Sequence, residues 1–221
     1  MRSRAKFIVM GITERKARQK ADLRARILEA SRAIVLADGF AGLTMRKIAQ
    51  AIEYSPGTLY LYFAGRDEIA RDLCIAGFRD LVAALTPVAA VAEPRVRLEA
   101  LARAYVHFGL EQAETYRLVF MEDPTIVKAI YEGPDAGGPD DPGAQAYGLI
   151  AAGFFELQAA GRLAPGAEPT VLTDAFWAAL HGVVSLKLTC PGFPATPVEI
   201  LVPALVGSLL DGMLLAAQPS G

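Results

Sequence analysis

The stretch Thr44–Arg66, TMRKIAQAIEYSPGTLYLYFAGR, decides the fold. Thr44 is placed to cap a helix, its hydroxyl accepting from an unpaired amide of the first turn. Behind it Met45, Ile48, Ala49 and Ile52 recur at helical spacing and mark one buried face. Arg46 and Lys47 fall off that stripe, toward solvent or a phosphate. Ser55-Pro56 then starts a second helix: a capping serine, followed by proline at the first helical position, where its missing N–H costs nothing. That helix spans Pro56 to about Phe63, and Gly65 ends it. Two short helices joined by about three residues form a helix-turn-helix, the unit that sets its second helix into the major groove of DNA.

Charge supports this reading. Residues 1–66 carry thirteen Lys and Arg against five Asp and Glu, a net +8, while the whole chain is at −2, leaving −10 for residues 67–221. A basic head on an acidic body is the electrostatic footprint of a polyanion-binding module attached to something else.

Working outward, the 221 residues are 53% hydrophobic, rich in Ala and Leu and poor in β-branched runs, as expected of an all-α globular chain. Mean hydropathy is positive, yet no uninterrupted apolar run reaches the ~18 residues of a membrane span, so no membrane partner is expected. Two cysteines, Cys74 and Cys190, make no disulfide framework, and a cytoplasmic location is the expectation. Residues 1–12 read as a flexible N-terminal arm, 13–66 as the DNA-binding domain, 67–86 as a connecting helix and 87–221 as a second helical domain. Helix one spans about Thr13 to Asp38 with Leu23, Ile27, Ala30 and Ile34 as its apolar stripe, and Gly39 closes it. The connecting helix opens with Asp67 and Glu68 in its first turn, matching the helix dipole, and runs to about Leu85. Pro87–Pro94 reads as a break and Gly133–Gly143 as a loop. Further helices fit Arg95–Leu110, Glu111–Met121, Ala144–Ala160, Thr170–Leu188 and Pro197–Ala217.

The segment IAQAIEYSPGTLYLYFAGRDEI resembles the signature of the TetR/AcrR family of bacterial transcriptional regulators: isoleucine-alanine, a turn, serine-x-glycine-threonine-leucine-tyrosine, tyrosine-phenylalanine, and a basic-acidic helix start. The resemblance covers about Ala25 to Leu81. Where the family pattern has glycine in the turn this chain has Glu53, which forces positive φ on a non-glycine residue. Arg66 stands where the pattern has lysine. On the motif, DNA contact falls to Thr44, Arg46 and Lys47 at the first helix, to Ser55, Gly57, Thr58, Tyr60 and Tyr62 around the second, and to Arg66 as a phosphate holder; Leu59 and Phe63 pack the motif.

The resemblance implies a homodimeric, ligand-responsive regulator, a repressor on a palindromic operator, released by a small hydrophobic or amphipathic effector. It places the dimer interface on the last two helices, where Ala204, Gly207, Ser208, Gly212 and Ala216 are small residues at helical spacing. Tyr105, Phe108, Phe155, Trp177 and His181 are the candidate ligand-binding residues of a mostly apolar pocket, with Phe120 and Phe154 as further aromatic candidates. Trp177 to Gly182 is similar to the Trp-His-Gly segment that names one class of C-terminal regulator domains. The alternative is a helix-turn-helix regulator whose second domain only dimerises.

An enzyme is not expected. Asp174, His181 and Ser185 share one helical face, but a triad on a single helix lacks independently positioned partners, and no nucleophile elbow is present. His107, His181 and the cysteines lack metal-ligand spacing. No cofactor is called for.

Overall fold

The computed structural model describes residues 2–121 and 137–214, which hold nine α-helices and one 3-10 turn. In chain order these are α1 (Arg2–Asp38), the 3-10 turn Phe40–Gly42, α2 (Met45–Ala51), α3 (Pro56–Leu59), α4 (Arg66–Ala89), α5 (Pro94–Glu111), α6 (Ala113–Phe120), α7 (Pro142–Ala159), α8 (Pro169–Thr189) and α9 (Val198–Met213). The β pairing among the described residues is an isolated bridge between Leu163 and Leu214. The described residues divide within α4 into two compact units, one up to Cys74 and the other from Ile75 on.

In the first unit α1 packs on α2, and α2 on α3. Its core is Leu23, Ile27, Val35, Phe40, Leu43, Ile48, Leu59, Phe63 and Ile69. The stripe on α1 runs through Ser31 and Val35, with Ala30 and Ile34 half-buried beside it. Ser31 is tolerated at 0% exposure because its hydroxyl donates to the Ile27 carbonyl at 2.7 Å. Helix α1 reaches back to Arg2, through most of the segment expected as an N-terminal arm. Gly39 ends the helix at φ 69°, a value that favours glycine.

In the second unit α5 lies against α6, α7, α8 and α9, with Leu98, Leu101, Ala102, Tyr105 and Val106 buried along it. The closest approach is at Gly109, where an added Cβ would stand 2.6 Å from Val184 Cγ1 and 3.0 Å from Tyr116 Cδ2. Ion pairs fasten the start of α5. Arg97, 7% exposed, reaches Glu156 at 2.5 Å and the Val91 carbonyl at 2.9 Å, and Arg95 reaches Asp211 at 2.7 Å. The break expected from Pro87 is displaced, because α4 continues to Ala89. Pro87 removes the bond its N–H would have given to the Ala83 carbonyl, and with the helix ending two residues later only the last turn is affected. Ala216 and residues 133–136 lie outside the described residues.

Candidate nucleic-acid interface

The sequence builds the motif through its caps. Thr44 Oγ1 accepts from the Lys47 amide at 3.2 Å, and Ser55 Oγ accepts from the Thr58 amide at 3.2 Å. Ser55 and Thr58 hydroxyls are also bonded at 2.9 Å. Helix α3 is shorter than expected, ending at Leu59, but bonds from Tyr60 to the Pro56 carbonyl (3.3 Å) and from Phe63 to the Leu59 carbonyl (3.0 Å) carry the winding on. Between the helices, Glu53 is the one non-glycine residue with positive φ among the described residues, at 59°. Its amide bonds the Gln50 carbonyl (3.3 Å) and the Tyr54 amide bonds the Ala49 carbonyl (2.9 Å), the paired closure of a Schellman motif.

This geometry sorts the residues expected to meet DNA. Arg46, Gly57 and Tyr60 are exposed, Tyr60 at 56%, and Thr58 is half-buried. Arg46 makes no ion pair among the described residues. Gly57 is not required by the fold: its φ is ordinary, and a Cβ there would meet the Ser55 hydroxyl at an unstrained 3.7 Å. Lys47 is not free, since its Nζ pairs with Asp38 at 2.8 Å. Arg66 lies 4.4 Å over the Phe40 ring, a cation–π contact. Leu59 and Phe63 are buried in the motif.

Two features escaped the sequence. Leu61 stands 75% exposed beside Tyr60, an apolar side chain on the tip of the motif. Arg24 joins three elements: Nη1 donates to the Tyr62 carbonyl at 2.7 Å, Nη2 reaches Asp72 at 2.5 Å and Glu68 at 3.3 Å, and its guanidinium lies 4.0 Å over Phe63. Glu68 also accepts from the Ala64 amide at 2.6 Å. That backbone bond is the largest influence on its carboxyl and, with Arg24, holds it below the usual carboxylate range despite burial.

In the second unit the candidate pocket residues separate. Tyr105, Trp177 and His181 come together, with Tyr105 and Trp177 ring centroids 5.2 Å apart. Tyr116 and Phe120 complete the cluster: His181 stacks on Tyr116 at 5.6 Å and meets Phe120 edge-on at 5.6 Å. A hydrogen-bonded chain crosses it, Tyr105 OH to Tyr116 OH at 2.9 Å and Tyr116 OH to His181 Nδ1 at 2.6 Å. Burial pushes the Tyr116 phenol well up and draws His181 below its ordinary value. Phe108 is buried in the core. Phe155 is 50% exposed, and its neighbour Phe154 packs on Phe176 at 5.6 Å. Two adjacent aromatics on one helix necessarily face differently. Asp174 accepts from Tyr147 at 2.8 Å, so it does not orient His181. A separate open groove of about 490 Å³ lies between α4, α5 and α9, with Val88, Ala104, His107 and Val202 in its lining.

A capped helix-turn-helix on a basic head, joined to an all-helical second unit, defines a DNA-binding transcriptional regulator. Residues 27–73 match the bacterial regulatory proteins of the tetR family, and residues 98–209, just over half the chain, match the tetracyclin repressor-like C-terminal domain. The chain belongs to the TetR family. Its fold is similar to that of a protein of unknown function from Rhodococcus sp. RHA1 (26% identity, TM-score 0.71, covering 87% of this chain and 96% of the other). It also resembles the ketosteroid transcriptional regulator KstR2 of Mycobacterium tuberculosis (18%, 0.61, covering 87% and 95%) and the TetR family regulator PfmR from Thermus thermophilus (18%, 0.59, covering 85% and 98%); at that identity the likeness is one of fold. No curated protein matches the chain.

Proposed function

We propose that this regulator is a homodimeric repressor that reads a palindromic operator and releases it when a small apolar effector enters the second unit. The observation that carries the reading is the exposed α3 tip: Gly57 and Tyr60 stand open to solvent, with Thr58 half-buried between them, on a capped motif in a head of net charge +8. Thr58 and Tyr60 read base edges. Gly57 lets a sugar-phosphate backbone approach closely. Arg46 holds a phosphate; Lys47 does so by exchanging Asp38 for it.

The dimer reading rests on the last two helices. Val171 is 62% exposed on α8 and Ile200 61% on α9, with Ala175, Ala178, Ala204 and Ser208 exposed along the same helices. By length and composition alone α8 could cross a membrane, and only 28% of its most apolar window is buried within the chain. A two-fold pairing covers such faces and matches a palindrome.

The effector reading rests on the Tyr105–Trp177–His181 cluster. Helix α4 is one continuous helix from Arg66 to Ala89, and its first turns carry the Glu68 and Asp72 held by Arg24. A ligand that favours one position of α4 therefore reaches the recognition turn through the Arg24–Tyr62 bond. It acts only through a difference in affinity between the two states.

The test is to titrate apolar compounds against the DNA complex while following emission from Trp177, the single tryptophan. Effectors should change Trp177 emission and release DNA over the same concentration range. Compounds that release DNA and leave Trp177 emission and quenching untouched contradict the site.

A further inference from the structure

The chain of hydrogen bonds through the aromatic cluster has a direction, and the direction fixes what an effector must offer. Tyr116 is fully buried, and its hydroxyl has two neighbours, Tyr105 OH at 2.9 Å and His181 Nδ1 at 2.6 Å. It has one proton to give. A phenol, with pKa about 10, is a much stronger acid than a neutral imidazole N–H, and an imidazole nitrogen is the better acceptor. The proton of Tyr116 is therefore donated to Nδ1, and Tyr105 donates to the Tyr116 oxygen. Burial keeps both ends neutral, raising the phenol and lowering the imidazole. With Nδ1 occupied as an acceptor, the ring proton must sit on Nε2. That nitrogen has no hydrogen-bond partner among the described residues, and His181 is only half-buried, lying against the Tyr116 and Phe120 rings.

We infer that His181 Nε2–H is a preset hydrogen-bond donor for the effector, which is a neutral apolar molecule carrying an acceptor oxygen such as a ketone or ether. The inference rests on the effector reading above and narrows it. A hydrocarbon that covers the ring strips water from the donor and leaves it unpaired, which is costly. A ligand that offers only a donor, or a cation, finds no acceptor there, because the one ring lone pair is already taken. Tyr116 acts through His181, as a positioning residue that sets its tautomer.

The chain has two histidines, so ring ¹⁵N spectra of full-length His107→Gln protein report His181 alone. The Nε2–H tautomer is expected at pH 7.5, and Tyr116→Phe, which keeps the ring and removes the donor, should let the Nδ1–H form appear. A predominant Nδ1–H form in the parent protein overturns the assignment. Binding of cyclooctane and cyclooctanone, measured by calorimetry, then separates two kinds of failure. The ketone should bind about tenfold tighter than the hydrocarbon, and His181→Phe should bring the two together. Equal affinities, or a preference that survives His181→Phe, overturn the donor role while leaving an apolar effector site in place. If neither compound binds, the effector reading falls and this inference falls with it.

Discussion

Arg24 donates a 2.7 Å hydrogen bond to the main-chain carbonyl of Tyr62, in the turn that follows α3. The same guanidinium holds Asp72 on α4 at 2.5 Å. One side chain thus ties together α1, the turn that follows α3, and α4. Arginine suits the place because its planar fork serves two acceptors at once and stacks on Phe63. The pair is partly solvent-exposed, which discounts its ionic part. Arg24→Met should cost about 1–2 kcal/mol in urea unfolding, mainly from the stranded Tyr62 carbonyl and Asp72. Arg24→Lys should recover less than half of that. A full recovery would show that charge alone matters there.

Gly57 separates affinity from stability. A methyl group at that position meets nothing tighter than 3.7 Å, and alanine is the better helix former. Gly57→Ala should leave the melting temperature equal or higher while lowering DNA affinity about tenfold, since the Cβ occupies the space a backbone phosphate needs. Unchanged affinity would remove Gly57 from the interface.

Glu53 holds φ 59°, which costs an L-residue about 1–2 kcal/mol. Glycine removes that strain at an entropic cost of about 0.5–1 kcal/mol. Glu53→Gly should therefore keep or raise stability, and by removing a negative charge it should also keep or raise DNA affinity. Glu53→Val should lose at least about 1 kcal/mol, because a β-branched side chain tolerates positive φ worst. Both are read from chemical denaturation.

At Gly109 the prediction reverses the usual helix rule. Alanine there would bring its Cβ within 2.6 Å of Val184 Cγ1, so packing outweighs propensity. Gly109→Ala should destabilise by about 1–3 kcal/mol. Because Tyr116 lies on the same contact, Trp177 emission should shift as well.

His181 makes stability depend on pH in a definite sense. Its folded pKa is lowered by burial, so below about pH 6.5 the unfolded chain binds a proton that the folded chain resists. The stability is complete above that value and declines as pH falls through the folded pKa, by at most about 1.4 kcal/mol per pH unit. His181→Gln should flatten this step between pH 6.5 and 5 (roughly the span before carboxylates titrate) in denaturation curves at each pH.

The first unit was legible because its signals are local. Caps at Thr44 and Ser55, the Pro56 start and the apolar spacing of Met45–Ile52 each act within one turn, and the glycine-less turn at Glu53 announced its own positive φ. Arg24 was not legible: its partners stand 38 to 48 residues away, and nothing near it in sequence distinguishes it from its neighbouring cations. The same holds for Lys47, whose pairing with Asp38 depends on how α1 meets α2. In the second unit periodicity placed the helices to within a few residues, since long apolar helices repeat a single rule. It could not choose between Phe154 and Phe155, which is settled by rotation of α7. Nor could it find Tyr116, whose part in the His181 chain depends on how α5, α6 and α8 pack.

On the proposed function, two copies of this chain read an inverted repeat. Selection of bound fragments from a random duplex pool, followed by footprinting and mass determination of the complex, tests it most directly. The expected result is a pair of inverted half-sites whose centres lie about 34 Å apart, or a multiple of that, with one two-fold dimer or a pair of such dimers bound. Affinity should also fall with salt at a log–log slope of about −0.9 per phosphate contacted. Selection that enriches no sequence, or a single half-site carrying one chain, would contradict it.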